Sequence, residues 1–129
     1  MTATTIVSGG AGFLGTAIRH ALATGGQVIC LDRATPTDNC DWRECDVADE
    51  RAVVRVFKGI GRVDRFVHAV GVQPEKFWQM PWSPRVWEET LAAHVLGAVN
   101  LTAAVLRSKA PHAECAIVYL GSVYGSVAP

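Results

Sequence analysis

The sequence is poor in the features that mark several protein classes. Its four cysteines are Cys30, Cys40, Cys45 and Cys115. Their spacing matches no zinc pattern, and no histidine stands near Cys40 and Cys45 in sequence, so no metal site is expected. Neither sign of charge dominates: 12 basic residues balance 12 acidic ones. There is no basic run, which argues against a nucleic-acid partner held by phosphate neutralisation. No apolar run reaches membrane-spanning length without polar interruption, so no membrane partner is expected. The N-terminus lacks the charged start and apolar stretch of a signal peptide, which points to the cytoplasm. Internal repeats and low-complexity segments are also missing.

What the sequence has is apolar residues. Half of the 129 residues are hydrophobic and only 19% are charged. That suits a single domain whose strands are buried on both faces. The most informative stretch is Ser8-Gly9-Gly10-Ala11-Gly12-Phe13-Leu14-Gly15. It follows a β-branched run and opens a run with helical spacing. Strand, glycine turn and helix in that order make a dinucleotide-binding βαβ unit. Gly9 lets the chain turn off the strand, Gly12 lets backbone approach a pyrophosphate, and Gly15 lets the helix lie close to the sheet. The helix N-terminus offers amide donors and a positive dipole end to phosphates.

The helix spans about residues 12–24, with an apolar stripe of Phe13, Leu14, Ala17, Ile18, Ala21 and Leu22. A second strand over 27–32 ends at Asp32, where a carboxylate can accept hydrogen bonds from the adenosine ribose. A 2′-phosphate there would meet like charge, which favours NAD over NADP, although Arg33 could turn toward such a phosphate. Residues 34–41 are too short and polar for a helix. A third strand covers 42–47, and a helix opens at 48–50 with acids in its first turn. The fourth strand covers 65–70.

Residues 72–85 form an aromatic loop with Phe77, Trp78, Met80 and Trp82, broken by Pro74, Pro81 and Pro84. Such a loop could wall a ligand or simply pack over the domain. Ser83 and Pro84 then cap a long helix to about residue 109. A last strand spans 114–120. With right-handed crossovers, this pattern predicts a doubly wound, Rossmann-like parallel sheet in the order 3-2-1-4-5. His20 is expected to be solvated and His112 to lie in a turn.

The chain resembles the short-chain dehydrogenase/reductase superfamily over nearly its whole length. The glycine turn, through Gly9, Gly12, Phe13, Leu14 and Gly15, has the spacing of the extended, epimerase/dehydratase-like branch. Asp46-Val47 resembles the pair whose carboxylate and backbone contact adenine. His68-Ala69-Val70-Gly71 stands where the family has Asn-Asn-Ala-Gly or a His-x-Ala variant. His94 stands where the family usually has asparagine, and Ser122 matches the catalytic serine. The resemblance implies NAD as cofactor and an oxidoreductase or epimerase/dehydratase-like activity. In the family the serine works with a Tyr-x-x-x-Lys, which these residues do not contain: Tyr119 and Tyr124 are followed four residues on by Val123 and Ala128. The chain is thus expected to bind a dinucleotide without being a complete catalyst, lacking the C-terminal part of the family fold. It would then associate as a homo-oligomer, or with a second chain supplying the missing part. The alternative is a non-catalytic dinucleotide-binding or interaction module.

Overall fold

The computed structural model describes residues 2–71, 83–109 and 113–122. Among these residues the elements run β1 (Ala3–Ser8), α1 (Phe13–Leu22), β2 (Gly26–Asp32), β3 (Asp41–Glu44), α2 (Glu50–Phe57), β4 (Arg65–His68), α3 (Pro84–Leu91), α4 (Gly97–Ser108) and β5 (Ala116–Tyr119). The strands form one parallel sheet in the order β3-β2-β1-β4-β5. This is the predicted doubly wound order, and residues 33–40 make the helix-free second crossover as expected. The aromatic loop residues Phe77, Trp78, Met80 and Trp82, together with His112 and Tyr124, lie outside the described residues.

The centre of the sheet is buried on both faces. Ile6, Ile29, Leu31 and Phe66 join Val53 of α2 and Leu101 and Val105 of α4 in one apolar cluster. The alternate residues Val7, Cys30 and Val67 are buried too, but on the opposite side. Asp49 caps α2, its carboxylate accepting from the Arg51 amide at 2.9 Å.

Several local expectations need correction. Only part of the α1 stripe faces the sheet: Phe13 is 93% exposed and Leu14 is exposed, Ile18 and Leu22 are half-buried, and the fully buried residues of this helix are Gly15 and Arg19. Close contact at Gly15 sets the rotation of the helix, and hydrophobicity yields to it. Ser83 precedes Pro84 as predicted, but its side chain makes no capping hydrogen bond. Cys115 lies just before β5 rather than inside it and is only half-buried.

The long helix is also not regular. Between α3 and α4 lies a π turn, Ala92–Leu96. The whole stretch Pro84–Ser108 is long and apolar enough to cross a membrane by length and composition. The sequence expectation that no run reaches that length is corrected here. Its charged residues cluster at the ends, and Leu101, Ala104 and Val105 bury one face of its second half in the apolar cluster, while Val99 and Leu106 stay exposed. β5 forms one edge of the sheet among the described residues, with Val118, Tyr119 and Leu120 about half exposed.

Leu101 is fully buried at the meeting point of α4, α2 and the sheet. Leu101→Ala is expected to destabilise the fold by about 2–5 kcal/mol through lost contacts and the cavity left behind. Urea unfolding followed by circular dichroism measures the change.

Candidate functional site

A cleft of about 480 Å³ opens where the strands end at their carboxyl side. This is where the connections from β1 and β4 diverge, the position at which open parallel sheets hold ligands. Its walls come from the segments after four strands: Gly9 and Gly12 after β1, Asp32 and Arg33 after β2, Asp46 and Val47 after β3, Ala69 and Gly71 after β4. These eight residues are far apart in sequence, and the fold brings them together. Phe13, Leu14, Gly15, His68, His94 and Ser122 are not part of the cleft lining.

The glycine turn is built by close approach. Gly9 has φ +70, and a β-carbon there would lie 2.6 Å from the Ala69 carbonyl oxygen. A β-carbon on Gly15 would lie 2.0 Å from the Gly9 carbonyl oxygen, so no larger residue fits without moving the turn. At Gly12 a β-carbon would meet only the Gly9 carbonyl oxygen, at 3.3 Å; this residue turns toward open space. Gly12 is also the N-cap of α1, and no side chain caps that helix. The first-turn amides of Phe13 and Leu14 are therefore left for an outside acceptor. These two residues bear on the site through backbone, since their side chains point away.

Asp32 is held from both sides. Its carboxylate accepts from the Ala11 amide at 3.0 Å and from the Ala34 amide at 2.9 Å. Each oxygen bears one such bond and keeps capacity for another. Across the cleft mouth, Arg33 Nη1 stands 3.9 Å from Asp46 Oδ2, both side chains being well exposed. Asp46 also accepts from the Ala48 amide at 3.0 Å. The Val47 carbonyl already accepts from Asn100 Nδ2 at 3.0 Å. Asn100 thus ties α4 to the cleft wall, a role that no local pattern announces across 53 residues.

His68 sits behind the wall rather than on it. It is buried, and its Nε2 lies 3.3 Å from the His94 carbonyl oxygen. A carbonyl only accepts, so Nε2 carries the proton and Nδ1 accepts from the Ser8 hydroxyl at 2.8 Å. Burial pushes the imidazole below its ordinary value, which favours this neutral form. The acceptor carbonyl belongs to the π turn, where a widened helix presents carbonyls off the regular ladder. His68 therefore links β1, β4 and the long helix. His94 itself is exposed, with Cε1 3.8 Å from where a β-carbon of Gly71 would stand. Ser122 is exposed just beyond β5.

Other residues at the cleft were not singled out from sequence. Ala11, Ala34, Glu89, Ala92 and Ala93 line it, as does the buried Cys45. Burial pushes the Cys45 thiol up to about 11, so it stays neutral near pH 7. Arg19 and Asp38 stand behind the turn and the 33–40 segment. Arg19, spaced one turn after Gly15, could have been suspected of burial from that spacing alone. No group of residues able to hold a metal ion is present among the described residues.

Residues 5–129 match the family model of the NAD-dependent epimerase/dehydratase family. Solved structures share the fold. An aldohexose dehydrogenase from Thermoplasma acidophilum superposes with TM-score 0.84 at 24% identity, over 99% of this chain and 52% of its own. A short-chain dehydrogenase from Leptospira borgpetersenii, solved with bound NAD+, gives 0.81 at 19% identity, over 100% of this chain and 55% of its own. A mutated uronate dehydrogenase gives 0.71 at 29% identity, over 96% of this chain and 41% of its own. The chain therefore spans about half the length of these proteins. No curated protein sequence gives a significant match.

The depressed imidazole of His68 has a consequence for stability. In the unfolded chain this group takes its proton near its ordinary value of 6.5, before the native protein does. Native stability is therefore expected to fall as pH drops below that value and on through the lower folded value. The contribution is fully present above pH 6.5. Urea midpoints at pH 7.5 and 5.5 test this: His68→Gln is expected to show a smaller difference between the two than the native chain. An equal or larger difference would place the pH response elsewhere.

Proposed function

The chain belongs to the NAD-dependent epimerase/dehydratase family, and from that premise we propose that its cleft binds NAD, with NADP the weaker ligand. It would do so as the cofactor-holding part of a nicotinamide-dependent oxidoreductase. The observation that carries this reading is Asp32. Its carboxylate is locked at the end of β2 by two backbone amides and keeps acceptor capacity beside the cleft. Vicinal ribose hydroxyls are the donors that such a carboxylate suits. A 2′-phosphate would add negative charge next to it, partly offset by Arg33.

The remaining residues fit the same ligand. The uncapped start of α1, with the Phe13 and Leu14 amides and the bare backbone of Gly12, suits a pyrophosphate. Asp46 and Val47 stand where an adenine would be flanked, and Ala69 and Gly71 border the other half of the cleft. His68 and His94 act on this site through the backbone that they support. When bound, NAD supplies hydride transfer at its nicotinamide ring. Ser122 is the family's catalytic serine position, and a hydroxyl by itself is a weak proton donor at neutral pH. Acid–base work of this kind is worth roughly 10²–10⁴-fold in rate. The 129 residues contain no Tyr-x-x-x-Lys, so we expect this chain to bind cofactor without turning over substrate unaided.

The reading includes a protein partner, either a second copy or a chain that contributes further elements. Trp87, Leu91, Val95, Leu96 and Val99 on the long helix are exposed, and so is the β5 edge. Apolar surface of this extent favours association.

Calorimetric titration with NAD+ tests the cofactor assignment. Saturable binding is expected, and Asp32→Ala is expected to weaken it roughly tenfold or more. A native chain that does not bind NAD+ would sink the proposal. With NADH and a panel of carbonyl compounds, no turnover is expected from the purified 129-residue chain. Light scattering checks the partner: a well-behaved monomer at high concentration would count against self-association.

A further inference from the structure

Arg19 is a buried cation on a helix face that otherwise meets the sheet with glycine and aliphatic residues. It is 4% exposed. Its Nε donates to the Gly10 carbonyl at 2.7 Å, within the glycine turn. Its Nη2 and Nη1 donate to the two oxygens of Asp38, at 2.7 and 3.1 Å. All three nitrogens of the planar fork donate, two of them in the paired geometry that lysine cannot reproduce. Asp38 is 30% exposed and also lies 2.8 Å from His20 Nε2.

One side chain thus holds two walls of the cleft by their backs. The first is the glycine turn. The second is the segment after β2, which contains no helix or strand of its own. Asp32 anchors that segment at its start, and the Arg19–Asp38 pair anchors it six residues on. Between the anchors stand Arg33 and Ala34, both of which line the cleft. With both anchors in place, Arg33 extends across the cleft mouth toward Asp46.

We propose that Arg19 and Asp38, neither of which lines the cleft, are positioning residues for the 2′ side of the adenosine ribose. By pinning residues 33–38 they keep Arg33 facing Asp46 and so set the preference for NAD over NADP. This rests on the cofactor reading given above. Releasing the segment lets the guanidinium of Arg33 turn to a 2′-phosphate, a ligand it can grip with two parallel hydrogen bonds. The two dinucleotides differ only at that phosphate, so a change in their relative affinity isolates the effect from a general loosening of the site.

The experiment titrates NAD+ and NADP+ into the native chain, Asp38→Asn and Arg19→Met. It is run at a temperature where circular dichroism shows each variant folded. The ratio of the NADP+ to the NAD+ dissociation constant is expected to fall by about fivefold in Asp38→Asn, the scale of one partly exposed ion pair. Arg19→Met is expected to lower it at least as far, and Arg19→Lys to fall between native and Met. Should Arg19→Met fail to fold, Asp38→Asn decides, since its side chain is partly exposed and the amide keeps one acceptor for Arg19. Equal weakening of both dinucleotides, with the ratio unchanged, would overturn the proposal and leave the pair a purely structural role. A native chain that binds neither dinucleotide would bring down the cofactor reading itself, and this proposal with it.

Discussion

The architecture on the α1 side depends on one close approach, that of the Gly15 backbone to the Gly9 carbonyl. Only a residue without a β-carbon allows it. Once that contact is made, the rotation of α1 about its axis is set. Gly15 and Arg19 turn inward while Phe13 and Leu14 turn out. The N-terminus of the helix then faces the cleft with its first amides uncapped. Two large apolar side chains remain in water as a result. Their burial would be worth about 1.5–3 kcal/mol each in an ordinary helix. The fold forgoes that stabilisation to bring a bare helix start to the end of β1.

The other side of the sheet is organised by ordinary burial. α2 and α4 close over Ile6, Ile29, Leu31 and Phe66 with branched aliphatic side chains. Two polar ties join that packed layer to the cleft. Asn100 reaches the Val47 carbonyl, and His68 reaches the His94 carbonyl. Each spans more than twenty residues of sequence and fixes a cleft-lining segment to the long helix. The core thus sets the shape of the cleft from below, with few of its own residues exposed there.

Much of this was legible in the sequence. Strand order followed from the β-α alternation and the handedness of crossovers, and the helix-free second crossover followed from its length and polarity. Asp32 and Gly71 could be placed because each ends or follows an apolar run, and Asp46 because Asp46-Val47 resembles the family's adenine-contacting pair. What could not be read was rotation and register. The pattern of Phe13, Leu14 and Ile18 has helical spacing, and nothing local says that a contact at Gly15 overrides it. The π turn leaves no signature either, because the stretch around it is rich in small residues that tolerate an extra residue per turn. Arg19 stands one turn after Gly15, but its partner Asp38, nineteen positions later, leaves no local sign of the pairing.

The neutral ring of His68 carries one N–H proton, pointed at a helix carbonyl and shut away from water. Such a proton leaves only when the surrounding structure opens. Its exchange with deuterium is thus an internal clock for the joint between β4 and the long helix. A ligand that stiffens the cleft would slow that clock without touching the histidine. The joint can therefore be followed from the core side, through a ring that is buried and outside the cleft lining.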